Sequence, residues 1–319
     1  MYKQFLLAGF FASSILIPLQ ATAQDFQQLY VFGDSLSDTG NSYNATGDIP
    51  PSPPYSQGRF SNDRSWVEYL TADLGATATN LAFGGATTSS NNTIPIPDSL
   101  PIPPLPGLEQ QITSFKATNP IANPDALYVI WVGANDYLGG GITDPSVPVN
   151  NLSGAIAMLA ESGAENFLIV NLPDLGKLPG TNDSPQSSNL SILTSLHNSN
   201  LDTSLNDLST SYGINIYDLD VSSLFASAIA QPAKYGFTNV TDACLTDTGI
   251  CSNPNKYLFW DEIHPTNAAH KIIGELAFSR LSAQPVPEPS AGLGILALGG
   301  LGAGVLLKRK YRDSLAKAK

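Results

Sequence analysis

Five short apolar runs rich in β-branched and aromatic residues punctuate the chain at residues 29–32, 77–82, 126–132, 166–171 and 214–217. Their length and their bounding Gly, Asn and Asp residues predict strands. Between them apolar positions recur at helical spacing: Trp66, Val67, Tyr69, Leu70 and Leu74, then 108–115, then Leu152, Ile156, Leu159 and Ala160, then 190–208. A last helix, with Ala269, Ile272, Ile273, Leu276, Ala277 and Leu281 on one face, closes the pattern. Strand and helix alternate, which predicts an α/β domain with a parallel sheet covered by helices on both faces.

Two stretches break the periodicity. Residues 91–107 carry Pro95, Pro97, Pro101, Pro103, Pro104 and Pro106, and residues 48–59 carry Pro50, Pro51, Pro53 and Pro54. Proline denies both ladder and helix hydrogen bonds, so both are stiff, extended loops. Each leaves the sheet near a strand end that carries polar groups, where it either walls a substrate cleft or is plain surface.

The chain ends follow a different logic. Lys3 precedes an apolar run over 5–19, and Ala21-Thr22-Ala23 supplies the small residues that signal peptidase reads. Cleavage before Gln24 is expected, so 1–23 is a signal peptide; an uncleaved anchor is the alternative, for which the run is short. Residues 291–307 are apolar and glycine-rich, and Lys308, Arg309, Lys310 and Arg312 follow directly, an order that leaves the tail 313–319 in the cytoplasm. Seventeen residues rise about 26 Å against a hydrocarbon core of about 30 Å, a marginal transmembrane span. Val286-Pro287-Glu288-Pro289 with this span and basic cluster resembles the PEP-CTERM sorting signal, here 286–312. That resemblance implies an exported protein, tethered first through the membrane, then processed by an exosortase-type enzyme and left at the surface or secreted. A plain C-terminal anchor is the alternative.

Between Gln24 and Ser290 stand 26 acidic and 8 basic residues, a net charge of −18. Such a surface excludes nucleic acid as a partner. Cys244 and Cys251 are the only cysteines, and export permits a disulfide between them; two free thiols are the alternative. Two cysteines and three scattered histidines form no ligand cluster, so no metal or other cofactor is expected. His197 and His270 lie in helical patterns and read as structural or surface residues.

Chemistry gathers at three strand ends: Gly33-Asp34-Ser35-Leu36 after the first, Gly84-Gly85 after the second, Gly133-Ala134-Asn135-Asp136 after the third. Ligands of open parallel sheets bind beyond such carboxyl ends. A fourth element, Asp261-Glu262-Ile263-His264-Pro265, sets a carboxylate three residues before an imidazole in an extended segment. The set fits acyl transfer. Ser35 is the nucleophile, His264 the base, Asp261 the orienting acid; the backbone N–H groups of Ser35 and Gly85 and the Asn135 amide form an oxyanion hole.

Those blocks, with Ser37-Asp38-Thr39-Gly40-Asn41 and Asn80-Leu81-Ala82-Phe83, resemble the four blocks of the GDSL, or SGNH, hydrolases. Tyr55, Gly58-Arg59-Phe60-Ser61-Asn62, Trp66-Val67-Glu68-Tyr69-Leu70, Asn171-Leu172-Pro173-Asp174 and Phe259-Trp260 look like its plant and bacterial lipase branch. The resemblance implies a flavodoxin-like three-layer α/β/α sandwich with a five-stranded parallel sheet over 24–285. It assigns the block residues to Ser35, Gly85, Asn135 and His264, with Asp261 completing the triad. It also implies hydrolysis of carboxylic esters of lipids or acylated sugars. A polysaccharide O-acetylesterase is the alternative enzyme, and a non-catalytic glycan- or lipid-binding module the alternative of another class. The Cys244–Cys251 pair is expected to clamp the segment that presents Asp261 and His264.

Overall fold

The computed structural model describes residues 26–282; the expected signal peptide, the expected transmembrane span and the sorting motif lie outside the described residues. In chain order the elements are β1 (Gln28–Gly33), α1 (Asn41–Thr46), α2 (Trp66–Leu74), β2 (Thr77–Asn80), α3 (Leu108–Thr118), β3 (Leu127–Trp131), α4 (Ala134–Leu138), α5 (Ser146–Ala160) and β4 (Asn166–Val170). There follow α6 (Ser187–Tyr212), β5 (Asn215–Leu219), α7 (Val221–Ala230), β6 (Asn239–Ala243), β7 (Leu245–Thr246), β8 (Gly249–Ile250), β9 (Tyr257–Phe259) and α8 (Asn267–Ser282).

The five predicted strands form one parallel sheet in the order β2-β1-β3-β4-β5. Successive residues of its central strands point into opposite cores, as the two-residue period of a strand requires. On one side Val31, Val129, Trp131 and Leu168 pack against Trp66 and Leu70 of α2, Phe225 of α7 and Ile273 of α8. On the other, Phe32, Tyr128, Ile130 and Phe167 pack against Ile112 and Phe115 of α3 and Ile156 of α5. A strand buried on both faces has no polar alternation, which is why 127–131 reads as one apolar run. The result is the three-layer α/β/α sandwich.

After β1 the chain moves to β2 on one side and then to β3 on the other. The carboxyl ends of β1 and β3 therefore border the crevice where the strand order switches, the usual ligand position in such a sheet.

Some elements differ from the sequence expectation. β2 stops at Asn80 rather than at residue 82; there the Asn80 side chain binds the backbone, Nδ2 donating to Ser37 O (2.7 Å) and Oδ1 accepting from Ala82 N (2.9 Å), while Leu81 N still donates to Val31 O (2.7 Å). The fourth predicted helix extends over Ser187–Tyr212, beyond 190–208 at both ends, through polar residues on its solvent side. Helix α7 and the small strands β6 to β9 were not expected. α8 lies against α2, where Gly274 leaves room for the opposing backbone: a Cβ there would stand 2.7 Å from Tyr69 Cβ and 3.0 Å from Trp66 O.

Candidate active site

Strand β1 ends at a residue with no room for a side chain. A Cβ on Gly33 would stand 2.5 Å from Trp131 O, and the buried Gln111 amide brackets this residue, accepting from its N–H and donating to its carbonyl at 2.9 Å each. The chain then turns, and Ser35 is the first partly exposed residue beyond the sheet. The turn is held from below by Asp38, whose carboxylate accepts from the backbone N–H groups of Gly40 (2.8 Å), Asn41 (2.6 Å), Ser42 (3.1 Å) and Gly84 (2.9 Å). One buried carboxylate thus ties the loop after β1 to the loop after β2.

The opposite wall is the segment between β9 and α8. Trp260 N donates to His264 O (2.7 Å), closing a turn inside which Asp261 Oδ1 accepts from the backbone N–H of Ile263 (2.8 Å) and His264 (2.7 Å). Asp261 Oδ2 lies 2.7 Å from His264 Nδ1, and His264 Nε2 lies 2.9 Å from Ser35 Oγ. A carboxylate beside Nδ1 fixes the tautomer with the proton on Nδ1, leaving Nε2 to accept from the serine hydroxyl. Burial opposes ionisation of Asp261, but the charge and hydrogen bonds of His264 outweigh it and hold the carboxyl down at about 2. Burial opposes protonation of His264, but Asp261, with Asp34 behind it, outweighs burial and holds the imidazole above its usual range.

The glycine pair after β2 is clamped on every side. Gly84 N donates to Asp38 and to Ser42 Oγ (2.8 Å), Gly84 O accepts from Asn92 Nδ2 (2.8 Å), and Gly85 O accepts from Thr93 N (2.8 Å). Gly85 has φ +72°, and a Cβ there would stand 2.5 Å from Asn92 Oδ1, so a side chain is excluded by conformation and by space. Asn135, in the first turn of α4, donates from Nδ2 to Ala86 O (3.1 Å), which places it beside this pair. Among the described residues the backbone N–H groups of Ser35 and Gly85 engage no acceptor, although the surrounding amides do. The structure thus brings Ser35, His264 and Asp261 into one hydrogen-bonded line, with Gly85 and Asn135 adjacent to each other at the neighbouring strand ends.

Other residues at the site carried no individual signal in the sequence. The proline-rich segment 48–59 delivers Tyr55, whose hydroxyl donates to Asp261 Oδ2 (2.7 Å). Phe60, just beyond it, sets its ring 5.3 Å from that of His264. Asp136 is buried and accepts from Thr88 N (2.9 Å) and Thr88 Oγ1 (2.7 Å), anchoring the chain beyond Ala86. Their presence inside recognisable blocks was the available signal; their partners lie too far away in sequence to be read. His197 and His270 are both buried structural residues: His197 Nδ1 pairs with Tyr137 Oη (2.9 Å) and His270 Nδ1 accepts from Trp66 N (3.3 Å). Cys244 and Cys251 are joined by a disulfide, and Cys244 N and Leu245 N donate to Phe259 O (3.2 Å) and Trp260 O (2.6 Å), directly before Asp261. Among the described residues no group of His, Cys, Asp and Glu side chains could hold a metal ion.

The GDSL-like Lipase/Acylhydrolase family model matches residues 29–277, and the PEP-CTERM protein-sorting motif matches residues 285–310. The chain belongs to the GDSL lipase/acylhydrolase family and is an ester-hydrolysing enzyme; its sorting motif marks it for export from the cytoplasm. It is similar to the phosphatidylcholine-sterol acyltransferase of Aeromonas hydrophila, 29% identical over 84% of this chain and 95% of that protein. It is also similar to the thermolabile hemolysin of Vibrio parahaemolyticus, 28% identical over 78% of this chain and 62% of that protein. A crystal structure of a lipolytic G-D-S-L family protein from Veillonella parvula superposes with a TM-score of 0.44 at 17% identity, covering 79% of this chain and 94% of that one. Among the described residues no helix is long and apolar enough to cross a membrane.

Proposed function

We propose that this enzyme is an exported serine hydrolase that cleaves carboxylic esters through an acyl-enzyme on Ser35. The observation that carries the reading is the line Ser35 Oγ–His264–Asp261, with spacings of 2.9 and 2.7 Å. Ser35 Oγ attacks the ester carbonyl as its proton passes to His264 Nε2, giving a tetrahedral oxyanion that Ser35 N, Gly85 N and the Asn135 amide receive. The C–O bond to the alcohol then breaks, His264 returns the proton to the leaving oxygen, and the acyl group stays on Ser35. Water, deprotonated by the same imidazole, releases the acid. Asp261 stays ionised throughout and balances the imidazolium.

An apolar recess of about 20 Å³ adjoins the triad, with room for about one water molecule rather than for an acyl chain. Leu36 and Ala134, next to the nucleophile and to Asn135, and Ile263 and Pro265, on either side of His264, line it with Leu178 and Phe225. The name of the Aeromonas relative, a phosphatidylcholine-sterol acyltransferase, supports an acylated lipid as substrate class. The full chain in detergent, assayed against p-nitrophenyl esters from acetyl to palmitoyl, tests the reading. Ser35→Ala is expected to lower turnover by about four orders of magnitude or more and to abolish fluorophosphonate labelling. Undiminished turnover in Ser35→Ala rejects it, and a strict acetyl preference replaces lipid esters with acetylated glycans.

A further inference from the structure

The Asp261 carboxylate receives four hydrogen bonds, and only three come from its own turn. Oδ1 is filled by Ile263 N and His264 N, at 2.8 and 2.7 Å. Oδ2 is shared between His264 Nδ1 and the hydroxyl of Tyr55, each at 2.7 Å, and Tyr55 lies 206 residues earlier in the chain. Burial and the neighbouring Asp261 and Glu262 charges push the Tyr55 hydroxyl well above its ordinary range, so it remains a donor wherever an enzyme works.

The chain invests considerable structure in bringing this hydroxyl here. Tyr55 packs edge-on against Trp260 and against Phe60, with ring centroids 6.4 Å apart in both cases. Its loop is tied by Ser52 Oγ donating to Tyr55 O (2.8 Å), and by Arg59, whose Nε and Nη2 hold the Glu68 carboxylate of α2 at 2.7 Å each. Such a fork is a stiff connection to a core helix.

We infer that Tyr55 is a positioning residue of the reaction: its hydroxyl fixes the plane of the Asp261 carboxylate from outside the Asp–His turn and withdraws charge from the oxygen that faces the imidazole. The inference rests on the catalytic reading above for its effect on turnover, but its effect on the imidazole does not depend on that reading. A carboxylate whose facing oxygen already accepts a phenol stabilises the imidazolium less than a bare one. Removing the hydroxyl therefore raises the pH at which His264 loses its proton and loosens the orientation of its ring. The other titratable or charged groups facing this arrangement are Asp34 and His270 around the imidazole and Glu262 beside Tyr55. None is removed by the test.

The variant is Tyr55→Phe in the full chain, which keeps the ring and its packing and deletes the donor. The chain has only three histidines, and burial pushes His197 and His270 down to about 4 and about 3. The imidazole whose titration by NMR is held above the usual histidine range is then His264, assigned by its loss in His264→Gln. The expected result is an upward displacement of that titration by about half a pH unit, with the acid limb of kcat/KM moving equally. kcat on p-nitrophenyl butyrate falls about tenfold, the size of one hydrogen bond to a charged group, and KM changes less than about twofold. In an Asp261→Asn background Tyr55→Phe leaves the titration where it is. An unmoved titration in the Asp261 protein overturns the inference whatever happens to turnover, as does a fall in kcat that only follows a fall in thermal midpoint. If Ser35→Ala instead retains full turnover, the catalytic reading fails, and the titration still decides whether Tyr55 acts on the Asp261–His264 pair.

Discussion

Ser35 is flanked by a carboxyl group that the reaction leaves unused. Asp34 is 1% exposed, its Oδ1 accepts from Leu36 N (3.0 Å), and its Oδ2 is buried with no hydrogen-bond partner among the described residues. Burial raises its pKa to about 7, against the lowering effects of the Leu36 N–H and of His264. A carboxyl protonated when folded and ionised when unfolded destabilises the fold as pH rises. The unfolded group ionises near about 3.9, so the loss develops between that value and the folded value and is complete above it. Asp34→Asn removes this titration and, with it, the Asp34 contribution to holding the His264 imidazole up. Its thermal midpoint, relative to wild type, is expected to rise from pH 4 to about pH 7 and then level off, and a difference independent of pH would show that Asp34 is ionised in the folded enzyme throughout. In the sequence, Asp34 was legible only as a member of a turn. That this carboxyl beside Ser35 lies deep enough to stay protonated follows from burial, which no local pattern records.

At the scale of elements, the segment that carries Asp261 and His264 has little regular structure of its own. β9 has three residues, pairs with the short strand β6, and is followed by a turn and then α8. The disulfide closes a loop that hydrogen-bonds to Phe259 and Trp260, so it braces the turn from one side as Tyr55 does from the other. Cross-linking cysteines seven apart restricts the unfolded chain by about 2.5 kcal/mol in the loop-entropy account, modest against a domain with two buried cores. Mild reduction is therefore expected to lower kcat several-fold while far-UV circular dichroism and the cooperative thermal transition persist; activity and fold lost together would assign the bridge to global stability alone. This segment is also where the sequence was least informative. The strands β1, β3 and β4 and the helices α2, α3, α5, α6 and α8 announce themselves through burial on one or both faces, whereas β2 is largely exposed and β5 only partly buried. Strands β6 to β9 have two to five residues each, β7 and β8 forming a local hairpin and β6 and β9 pairing across the fold, too short for their residues to show either period. Helix α7 is different: Val221, Leu224, Phe225 and Ala228 have helical spacing, and shortness alone hid it. The proline-rich loops were legible as stiff excursions, but not their use. Residues 92 and 93 hold the Gly84-Gly85 carbonyls and residue 55 holds Asp261, contacts fixed by three-dimensional proximity.

For the molecule as a whole, the titrating groups divide between those that favour the fold at low pH and those that oppose it. His197 and His270 are buried and neutral, with folded values of about 4 and about 3. An unfolded histidine takes a proton near about 6.5, so each destabilises the fold progressively as pH falls below that value. Asp261, held at about 2, contributes stability that is present above about 3.9 and lost as pH falls through its folded value. On the other side, Asp34 withdraws stability as pH rises toward 7. His264, raised above its unfolded value, contributes stability that is full below about 6.5 and lost as pH rises through its folded one. The 26 acidic residues facing 8 basic ones between Gln24 and Ser290 add self-repulsion that grows with their ionisation. These effects meet in a stability maximum between roughly pH 5.5 and 7. Ester hydrolysis needs the opposite state of the same imidazole: His264 accepts the Ser35 proton only when neutral, so kcat/KM climbs through its raised pKa, on the alkaline side of that maximum. The two optima are therefore expected to be separate, with activity still rising where the thermal midpoint has begun to fall. Thermal midpoints and kcat/KM measured in the same buffers from pH 4 to pH 9 check this. Coincident optima would mean that His264 is not the base whose titration limits the rate, or that the Asp34 carboxyl does not reach the folded state protonated; the thermal midpoint of Asp34→Asn relative to wild type across the same pH range separates the two, because it reads the Asp34 titration without reference to activity.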